Sequence, residues 1–374
     1  MPKLHEICEI TCNGIHYRDW TQVNVKRSFG AEWAAEFQVS VVEMSDRARG
    51  WNGLKLKPGD AVGVTLGGKL AVTGLVDVRQ SVINARSHGV QIQGCSNTVE
   101  LVRSAAILEP GYFKNSAFDA IARRALQPFG IQLQWKNPPP GANRPFKLAQ
   151  VFHGETVFQF LERLARQRGI FIGDDASGNL IAGAIDPNAA PAAVLEEGRN
   201  ILEARALIRD DLVHSRSIGF AQNSGSDSVW GAAASQIKAT AENPAVGRYR
   251  PMVIIAEDPM TQRDLQDRVD REQSQRIGTS VQCSITVQGW HKPSGELWEP
   301  GEILTVKAPS LFPNPGGMQS LAVQTATYAQ DPTGGTTTML DMVLPQALAS
   351  HGMGLPKGGS PNLFEPGNQP ARPD

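Results

Sequence analysis

The chain has 374 residues, enough for two to four domains of roughly 100 to 200 residues each. Its 36 basic and 37 acidic side chains leave a formal net charge of -1, which argues against a basic nucleic-acid binder, and its 41% hydrophobic residues argue against a disordered chain. The 37 glycines and 25 prolines favour many turns and short strands, so we expect mainly β structure.

The N-terminus (MPKLHEICEI) lacks the apolar core of a secretory signal, and no apolar stretch approaches the roughly 18 to 20 residues of a membrane span. We therefore expect folding in the cytosol and no membrane-spanning segment. The cysteines Cys8, Cys12, Cys95 and Cys283 are too scattered for a disulfide framework. We expect them to be reduced and mostly buried.

Residues 1–105 show alternating apolar positions separated by turn residues. Cys8, Ile10 and Cys12 fall on one face before Asn13-Gly14, a pair typical of a tight hairpin turn. Further alternating runs lie at residues 23–25, 37–41, 62–66, 70–76 and 90–92. These short strands predict a first small β-barrel.

Residues 106–199 mix helical and strand patterns. Apolar residues recur at helical spacing from Phe118 to Leu126, with Ser116 as the candidate N-cap, and again from about Glu155 to Arg168, where Gly169 is placed to end the helix. Strand patterns lie at 131–135, 170–172 and 180–182. The segment predicts an α/β domain.

Strand patterns return at 281–287, 303–306, 321–328 and 337–343, and together with residues 200–222 they predict a second β-barrel over 200–222 and 280–345. Residues 223–279 form an insertion with a loop, a strand and a helix that begins near Thr261. The thin apolar edge of that helix, Leu265 and Val269, is expected to pack on the barrel, with its charged face toward solvent or a neighbouring subunit. Residues 346–374 lack periodicity and predict a flexible tail.

The two β regions share a short sequence pattern. Residues 56–66 (LKPGDAVGVTL) align with residues 298–308 (WEPGEILTVKA), and each segment precedes a Leu-Ala-Val strand. If the regions are copies, Pro58 and Pro300 lie at equivalent turns. Pro-Gly-acidic turns before strands also arise independently, so duplication and coincidence both stay open.

One group of residues has spacing that suggests a metal site. His5, Cys8 and Cys12 are spaced like part of a zinc knuckle, but zinc needs four ligands and no second Cys/His pair lies nearby. On one strand, Cys8 and Cys12 are also too far apart to share a tetrahedral ion. We expect buried thiols and no metal.

Other groups contain residue types found in hydrolases. Asp210, Asp211, His214 and Ser215 could supply a triad, but no nucleophile elbow accompanies them. The carboxylate pairs at 174–175 and 196–197 lie in turns without an apolar surround that would raise a pKa, and no glycine-rich phosphate loop is present. We expect no catalytic, cofactor-binding or metal site and no enzyme activity.

Residues 153–158 (HGETVF) precede a predicted amphipathic helix and resemble the Gly-Asp-Thr-Leu opening of peptidoglycan-binding LysM repeats. The same residues also make a good helix N-terminus, since an acidic side chain there complements the helix dipole. A single copy leaves a cell-wall-binding or cell-wall-degrading tail protein as an alternative function.

Several stretches carry a resemblance to a known family. Residues 248–261 (RYRPMVIIAEDPMT) are the most specific, and the helix from Asp264 to Arg276 and residues 289–290 and 295–298 continue this match. Residues 20–27 (WTQVNVKR), 70–77 and 154–169 also match that family in order. The chain resembles the baseplate hub (tail protein P) family of Mu-like contractile-tailed phages over nearly its whole length up to about Pro345.

The resemblance implies a homotrimeric ring with two similar small β-barrels and an α/β domain per chain. Such a ring joins the tail tube protein to the central spike protein, beside other baseplate proteins, and presents six similar units to a hexameric tube. It implies a place in the virion tail baseplate after assembly in the host cytoplasm, with no specific nucleic-acid partner and no catalytic motif. The equivalent hub of a contractile bacteriocin or secretion machine is a further alternative.

Overall fold

The computed structural model describes residues 6–30, 34–44, 54–84, 87–222, 237–256 and 261–350. Strands predominate among them, which confirms the predicted mainly β fold class. The N-terminal β region contributes β1 (Cys8–Cys12), β2 (Ile15–Tyr17), β3 (Gln22–Ser28), β4 (Glu36–Met44), β5 (Ala61–Leu66), β6 (Lys69–Ile83) and β7 (Ser87–Ser96).

The following residues build the α/β part of the chain. Its elements are α1 (Glu100–Arg103), β8 (Tyr112–Ser116), α2 (Phe118–Leu126), β9 (Leu133–Lys136), β10 (Phe146–Gln150), α3 (Val157–Arg168), β11 (Phe171–Asp174) and β12 (Leu180–Gly183). Strands β11, β12 and β9 form a three-stranded sheet, and β10 pairs with β8. The apolar faces of α2 and α3 share one core, in which Phe118, Ile121, Phe160 and Leu161 are buried.

The ends of α2 and α3 test the predicted caps. Ser116 is not the N-cap of α2, because it lies at the end of β8 and Ala117 takes the cap position. Helix α3 begins after Thr156, whose side chain accepts from the Gln159 backbone in a capping box, and ends at Gly169 with a φ of 67°. The predicted stop of α3 is therefore confirmed.

The C-terminal part of the chain contains the remaining elements. They are β13 (Ala193–Glu196), β14 (Glu203–Ile208), β15 (Arg216–Ala221), β16 (Ile237–Glu242), β17 (Pro251–Ile255), α4 (Gln262–Thr279), β18 (Val281–Gln288), β19 (Ile303–Lys307), β20 (Met318–Asp331) and β21 (Gly335–Val343). Residues 200–222 were predicted to belong wholly to the second barrel, but β15 instead pairs with β16 and β17 in a separate three-stranded sheet. The seven residues between β14 and β15 let the chain pass from the sheet that contains β14 to this separate sheet.

Helix α4 covers this small sheet rather than the barrel. Leu265 and Val269 are buried in a cluster with Ala221, Ile237, Ala239 and Ile254. Gly219 permits this approach, because a Cβ at that position would lie 2.3 Å from Val269 Cγ2. The predicted packing of the apolar edge on the second barrel was wrong. The residues of the insertion at 223–236 and 257–260 lie outside the described part.

Both β regions belong to one large sheet of 13 strands. The N-terminal unit has the order β3-β4-β7-β6-β5-β1, and the C-terminal unit has the order β14-β18-β21-β20-β19-β13. The same strand order appears twice, with one difference: β1 runs antiparallel to β5, whereas β13 runs parallel to β19. Pairing among the described residues closes neither unit into a complete barrel, so the two units are curved sheets that share one apolar core.

The two Pro-Gly turns are equivalent in their hydrogen bonds. Gly59 N–H donates to Val76 O at 2.8 Å, and Gly301 N–H donates to Val323 O at 2.7 Å. The return bonds match as well, from the Val76 N–H to Asp60 O at 2.9 Å and from the Val323 N–H to Glu302 O at 2.8 Å. Since strand order and turn chemistry agree, coincidence of turn residues no longer explains the pattern, and the predicted equivalence of Pro58 and Pro300 is confirmed.

Residues just after the last strand are part of the folded body. A 3-10 turn at Pro345–Ala347 follows β21, and residues 346–350 are all buried. Ile185 N–H donates to Leu348 O at 3.0 Å, which ties this segment to the end of the α/β part. The prediction that residues 346–374 form a flexible tail was therefore wrong for 346–350, and the remaining residues lie outside the described part.

Candidate functional site at the junction of the β units

The two β units meet where β3 of the first pairs with β20 of the second. The strands run antiparallel from Ser28 opposite Thr325 to Val23 opposite Gln330. Val23, Val25 and Arg27 alternate on the buried side of β3, because successive side chains of a strand point to opposite faces. Arg27 occupies the third of these inward positions and is only 4% exposed, so a buried arginine lies at the junction.

Arg27 is neutralised by the Pro-Gly turn of the other unit. Its Nη1 donates to Glu299 Oε1 at 2.7 Å. Burial alone would lower the pKa of Arg27, but the charge and hydrogen bond of Glu299, together with Tyr328 and Asp174, outweigh that effect and raise the pKa. Arg27 is therefore charged in the folded protein, and the ion pair fixes the first unit against residue 299 of the second.

A second ion pair and a buried hydroxyl hold the same turn. Lys292 Nζ lies 2.5 Å from Glu302 Oε1, and the Tyr328 hydroxyl donates to Trp298 O. Burial raises the pKa of Tyr328, so its hydroxyl stays protonated and can donate. The turn that carries Pro300 is thus held on both sides by its own unit.

The α/β part joins the same region through Asp174. Asp174 is 6% exposed, and its Oδ2 accepts from the Ala35 N–H at 2.8 Å and from Thr98 Oγ1 at 3.3 Å. Burial raises the pKa of Asp174, since a charged carboxylate loses its hydration there. The hydrogen bonds connect the end of β11 to the loop before β4 and to the residues after β7, so Asp174 fastens the α/β part to the first β unit.

The charged face of α4 makes contacts within the chain. Arg144 in the α/β part lies 3.0 Å from Asp264 and 2.6 Å from Asp267, and Arg168 Nη1 lies 3.4 Å from Asp264. The predicted exposure of this face to solvent or a neighbouring subunit is thus corrected for these two acidic residues, which bind the α/β part. These pairs anchor the small sheet and its helix to the rest of the fold.

The two cysteines of the suggested metal site lie in the apolar core. Cys8 and Cys12 both point into the apolar core from β1, and burial raises the pKa of Cys8 to about 12. Such a thiol stays protonated and binds a metal poorly. His5 lies outside the described residues, and within the described part no group of three or more His, Cys, Asp or Glu side chains could hold a metal ion.

Three of the four residues that could have supplied a triad have other partners. Asp210 pairs with Arg250 Nη1 at 3.2 Å, and Arg209 binds Asp211. The Ser215 hydroxyl accepts from the Arg250 N–H at 2.9 Å, while His214 Nδ1 is buried without a hydrogen-bond partner. No nucleophile–base hydrogen bond joins serine to histidine, so these residues form a turn stabilised by arginine.

The remaining acidic candidates also have structural partners. Glu155, in the LysM-like stretch, lies 2.9 Å from Arg163, and its Oε2 accepts from the Phe152 N–H at 3.0 Å. Glu197 accepts from the Ser310 hydroxyl at 2.5 Å. Asp175 accepts from the Asn179 N–H at 2.8 Å. These carboxylates stabilise turns. Residues 153–158 do form the N-terminus of α3, but its cap is Thr156 with Gln159, and its first turn holds no acidic side chain, so the predicted dipole role of Glu155 is corrected.

The residues that join the units, among them Arg27, Asp174, Glu299 and Tyr328, were not identified from the sequence as a site. A signal for Arg27 was present, because it occupies an inward position of an alternating strand and lies in the WTQVNVKR stretch. Asp174 was expected in a turn without an apolar surround that would raise a pKa, and this was wrong, because it ends β11 and is buried against partners from distant loops. None of the helices in the described part combines the length and apolar character required to cross a bilayer.

The fold with two linked β units and an α/β part is that of tail proteins. A 43 kDa tail protein of prophage MuSo2 from Shewanella oneidensis superposes with a TM-score of 0.77 at 25% identity, covering 92% of this chain and 100% of that one. An E. coli component of the type VI secretion system, described as similar to T4 tail proteins gp27 and gp5, shares the fold with a TM-score of 0.52 at 10% identity, over 89% of this chain and 76% of that one.

Sequence comparison gives the family. The chain is 30% identical to the baseplate hub protein gp44 of Escherichia phage Mu over 301 residues, which cover 80% of this chain and 78% of the relative. Family models match residues 7–96 (Mu phage baseplate assembly protein GpP-like, N-terminal), 98–184 (baseplate hub protein gp44-like, second domain) and 261–350 (Mu phage baseplate assembly protein GpP, fourth domain). The chain belongs to the Mu-like phage baseplate hub family, as the sequence resemblance predicted.

Proposed function

We propose that this chain forms a trimeric ring at the centre of a phage tail baseplate, in which six similar β units surround the axis. The observation that carries the proposal is the repeated strand order of the two β units, joined side by side through β3 and β20. Three such chains supply six units, and a ring of six units matches a hexameric tube on one face while its threefold symmetry matches a trimeric spike on the other.

The chemistry of the junction supports a structural role. The buried charges are paired with one another, and the duplicated turns are fixed by main-chain hydrogen bonds, so the relative position of the units is strongly determined. A component that passes load between a tube and a spike needs such fixed geometry. Partners in this proposal are the tail tube protein, the central spike protein and neighbouring baseplate proteins, with assembly in the host cytoplasm and a final place in the virion tail.

Mass and shape in solution test the ring. Multi-angle light scattering across a concentration series is expected to reach three times the chain mass of 40.3 kDa, and negative-stain images are expected to show a ring with six lobes. Addition of the tube and spike proteins should stabilise the ring. A chain that stays monomeric at high concentration and in the presence of both partners would contradict the proposal.

A hub of a contractile bacteriocin or secretion machine is the second candidate, because a type VI secretion component shares the fold. Electron microscopy of particles released from the producing cells separates the two. Labelling of the chain on tails attached to DNA-filled heads supports the phage assignment, whereas labelling only on headless tails supports the second candidate.

A further inference from the structure

We propose that β14 of one subunit pairs with the outer half of β6, residues 78–83, of a second copy of this chain. This inference rests on the proposed trimer and specifies how its subunits meet. It comes from the pairing of the two β units inside the chain, which supplies a template for the contact between chains.

Within the chain, the edge strand of the first unit pairs with an inner strand of the second. β3 is the edge strand, and it contacts β20 only from Thr325 onward, after a β-bulge between Val323 and Thr325. Before the bulge, the same side of β20 pairs with β19. The bulge thus lets β20 change partners, from β19 of its own unit to β3 of the other.

The first unit contains the same arrangement with its last partner missing. β6 is equivalent to β20, has a bulge between Val76 and Val78, and pairs with β5 only up to Leu75. Its continuation over residues 78–83 pairs with β7 on one side, and no described strand pairs with the other side. This side of β6 is where β3 would lie if the junction were repeated.

The second unit contains the matching free strand. β14 is equivalent to β3, and among the described strands it pairs with β18 alone. The Arg209 N–H donates to Ser280 O at 2.7 Å. Counted back from Arg209, every second residue of β14 therefore directs its main-chain groups toward β18. The main-chain groups of Ala204, Ala206 and Ile208 therefore point away from β18, toward the open edge.

Equivalent positions give the register of the proposed contact. In the second unit, Ala206 of β14 takes the position that Val25 of β3 has in the first, as the pairing of β3 with β4 and of β14 with β18 shows. Counted from the bulge in each strand, Ser81 of β6 takes the position that Tyr328 has in β20. Val25 lies opposite Tyr328 within the chain. Ala206 of one subunit is thus expected opposite Ser81 of the next.

The exposed side chains at this register are complementary. Leu207 would lie opposite Gln80, and Val78 and Val82 would be its diagonal neighbours, within reach of side-chain contact. In the single chain Leu207 is 49% exposed, Val78 46% and Val82 52%. The pairing would bring these three apolar side chains into contact and shield part of their surface from water, in addition to satisfying both strand edges.

The contact is head-to-tail, since it joins the second unit of one chain to the first unit of another. Such heterologous contacts form a closed ring when the rotation between neighbours fits a whole number of copies. Three repeats would alternate with the three internal β3–β20 junctions, so that all six junctions of the ring would have one type.

Cysteine cross-linking tests the register. Leu207 and Gln80 would form a non-hydrogen-bonded pair with Cα atoms roughly 4.5 Å apart, a spacing that favours a disulfide. We expect the double variant Gln80→Cys/Leu207→Cys, treated with diamide, to give covalent dimers and trimers on a non-reducing gel. The matched control Gln80→Cys/Glu203→Cys shifts one cysteine by four residues, roughly 13 Å along the strand, and should give at most traces of these bands.

The outcomes separate this inference from the proposed function. Single variants report on any link to the native cysteines, which are buried or half-buried. If light scattering finds the trimer but the 80/207 pair does not cross-link, or does so no better than the 80/203 pair, the strand pairing is wrong and the trimer stands. If the uncrosslinked protein is monomeric under every condition, both proposals fail.

Discussion

At the scale of single residues, the junction depends on the buried charge of Arg27, whose ion-pair partner across the junction is Glu299. Arg27 is almost fully buried, whereas the side chain of its partner Glu299 is 38% exposed. Removing the partner of a fully buried charge costs more than removing the partner of a charge that water can reach. Loss of Glu299 is therefore expected to destabilise the protein more than loss of Arg27.

We expect Glu299→Gln to lower the free energy of unfolding by about 2 kcal/mol, since it leaves the Arg27 charge buried with a weaker partner. Arg27→Met should cost less, about 1 kcal/mol, because Glu299 can be hydrated and methionine fills the space. Urea denaturation measures both. The control Glu296→Gln removes the exposed pair with Lys69 and should leave the midpoint unchanged. Equal losses for the two junction variants would contradict this asymmetry.

Asp174 gives a pH dependence of known sign. Its pKa is raised in the folded protein, so the folded state binds the proton more tightly and the contribution of this carboxyl to stability is lost as pH rises from about 4 through the folded pKa. Asp174→Asn keeps an oxygen that accepts from the Ala35 N–H and cannot ionise. We expect the variant to gain stability relative to the parent at pH 8 and not at pH 3.5, as measured by urea denaturation.

Asp331 is a control because its pKa is shifted in the opposite direction from that of Asp174. Backbone N–H groups of Gly334 and Thr333 bond its carboxylate and lower its pKa, so its contribution is present at neutral pH and lost on acidification. Asp331→Asn should therefore lose stability at pH 8 and not at pH 3.5. The same direction of change in both variants would refute the assignment of burial as the cause at Asp174.

Residue-scale predictions from the sequence succeeded where the pattern was local. The burial of Cys8 and Cys12 follows from period-2 alternation on one strand, and the structure confirms it. The Ser116 cap failed, because a serine one residue before the true cap has the same local sequence signal but bonds Lys114 O instead. The role of Asp174 depends on partners about 76 and 139 residues away, which no local pattern contains.

At the scale of elements, a close contact explains why residues 345–350 belong to the folded body. Helix α4 passes the 3-10 turn at Gly278, where a Cβ would lie 2.1 Å from Ala347 N. Leu344 N–H also donates to Gly278 O at 3.1 Å. The helix and the C-terminal turn thus need a glycine at their crossing, and the sequence shows this glycine only as an unexplained position within a helix.

We expect Gly278→Ala to destabilise the protein by about 1 to 3 kcal/mol, because the overlap with main-chain atoms exceeds the gain of about 1 kcal/mol in helix propensity. Thermal unfolding measures the effect. Gly247→Ala is the matched control, since no neighbouring atom lies within 4 Å of its added Cβ, and it should change the unfolding temperature little. A stabilised Gly278→Ala variant would show that the turn can move away from the helix at low cost.

Element positions were largely predictable and element partners were not. The spacing of apolar residues located α3 and the four late strands, and the Pro-Gly pattern suggested that two of the strands were copies. Periodicity does not say which sheet a strand joins, however. β15 has the same alternating burial as strands of the large sheet, yet it pairs with β16 and β17.

At the scale of the whole molecule, the internal junction of β3 and β20 joins residues about 300 positions apart. Sequence reasoning predicted two units with similar strands, but not the edge along which they meet. The edge is determined by where the bulge in β20 ends its pairing with β19. Bulges depend on local backbone geometry and leave only a weak trace in residue types.

A charge introduced on the exposed face of β14 is expected to change the assembly of the molecule. Leu207→Lys should prevent trimer formation while leaving the unfolding midpoint of the monomer near that of the parent, because residue 207 is half exposed within one chain. Light scattering and thermal unfolding measure the two properties. Leu148→Lys, at a similarly exposed position of β10, is the control and should leave the trimer intact. Loss of the trimer in both variants would indicate a general effect of added charge.

If the proposed ring forms, the covalent link between the two β units changes the kinetics of its assembly. A ring of six separate units would require each of its six junctions to form by diffusion, whereas in the proposed ring half of the junctions would form during folding, at the high effective concentration of one chain. Assembly of the proposed ring then depends on the third power of chain concentration instead of the sixth. A phage that makes few hubs per infected cell would complete its rings at concentrations where six separate subunits would remain dispersed.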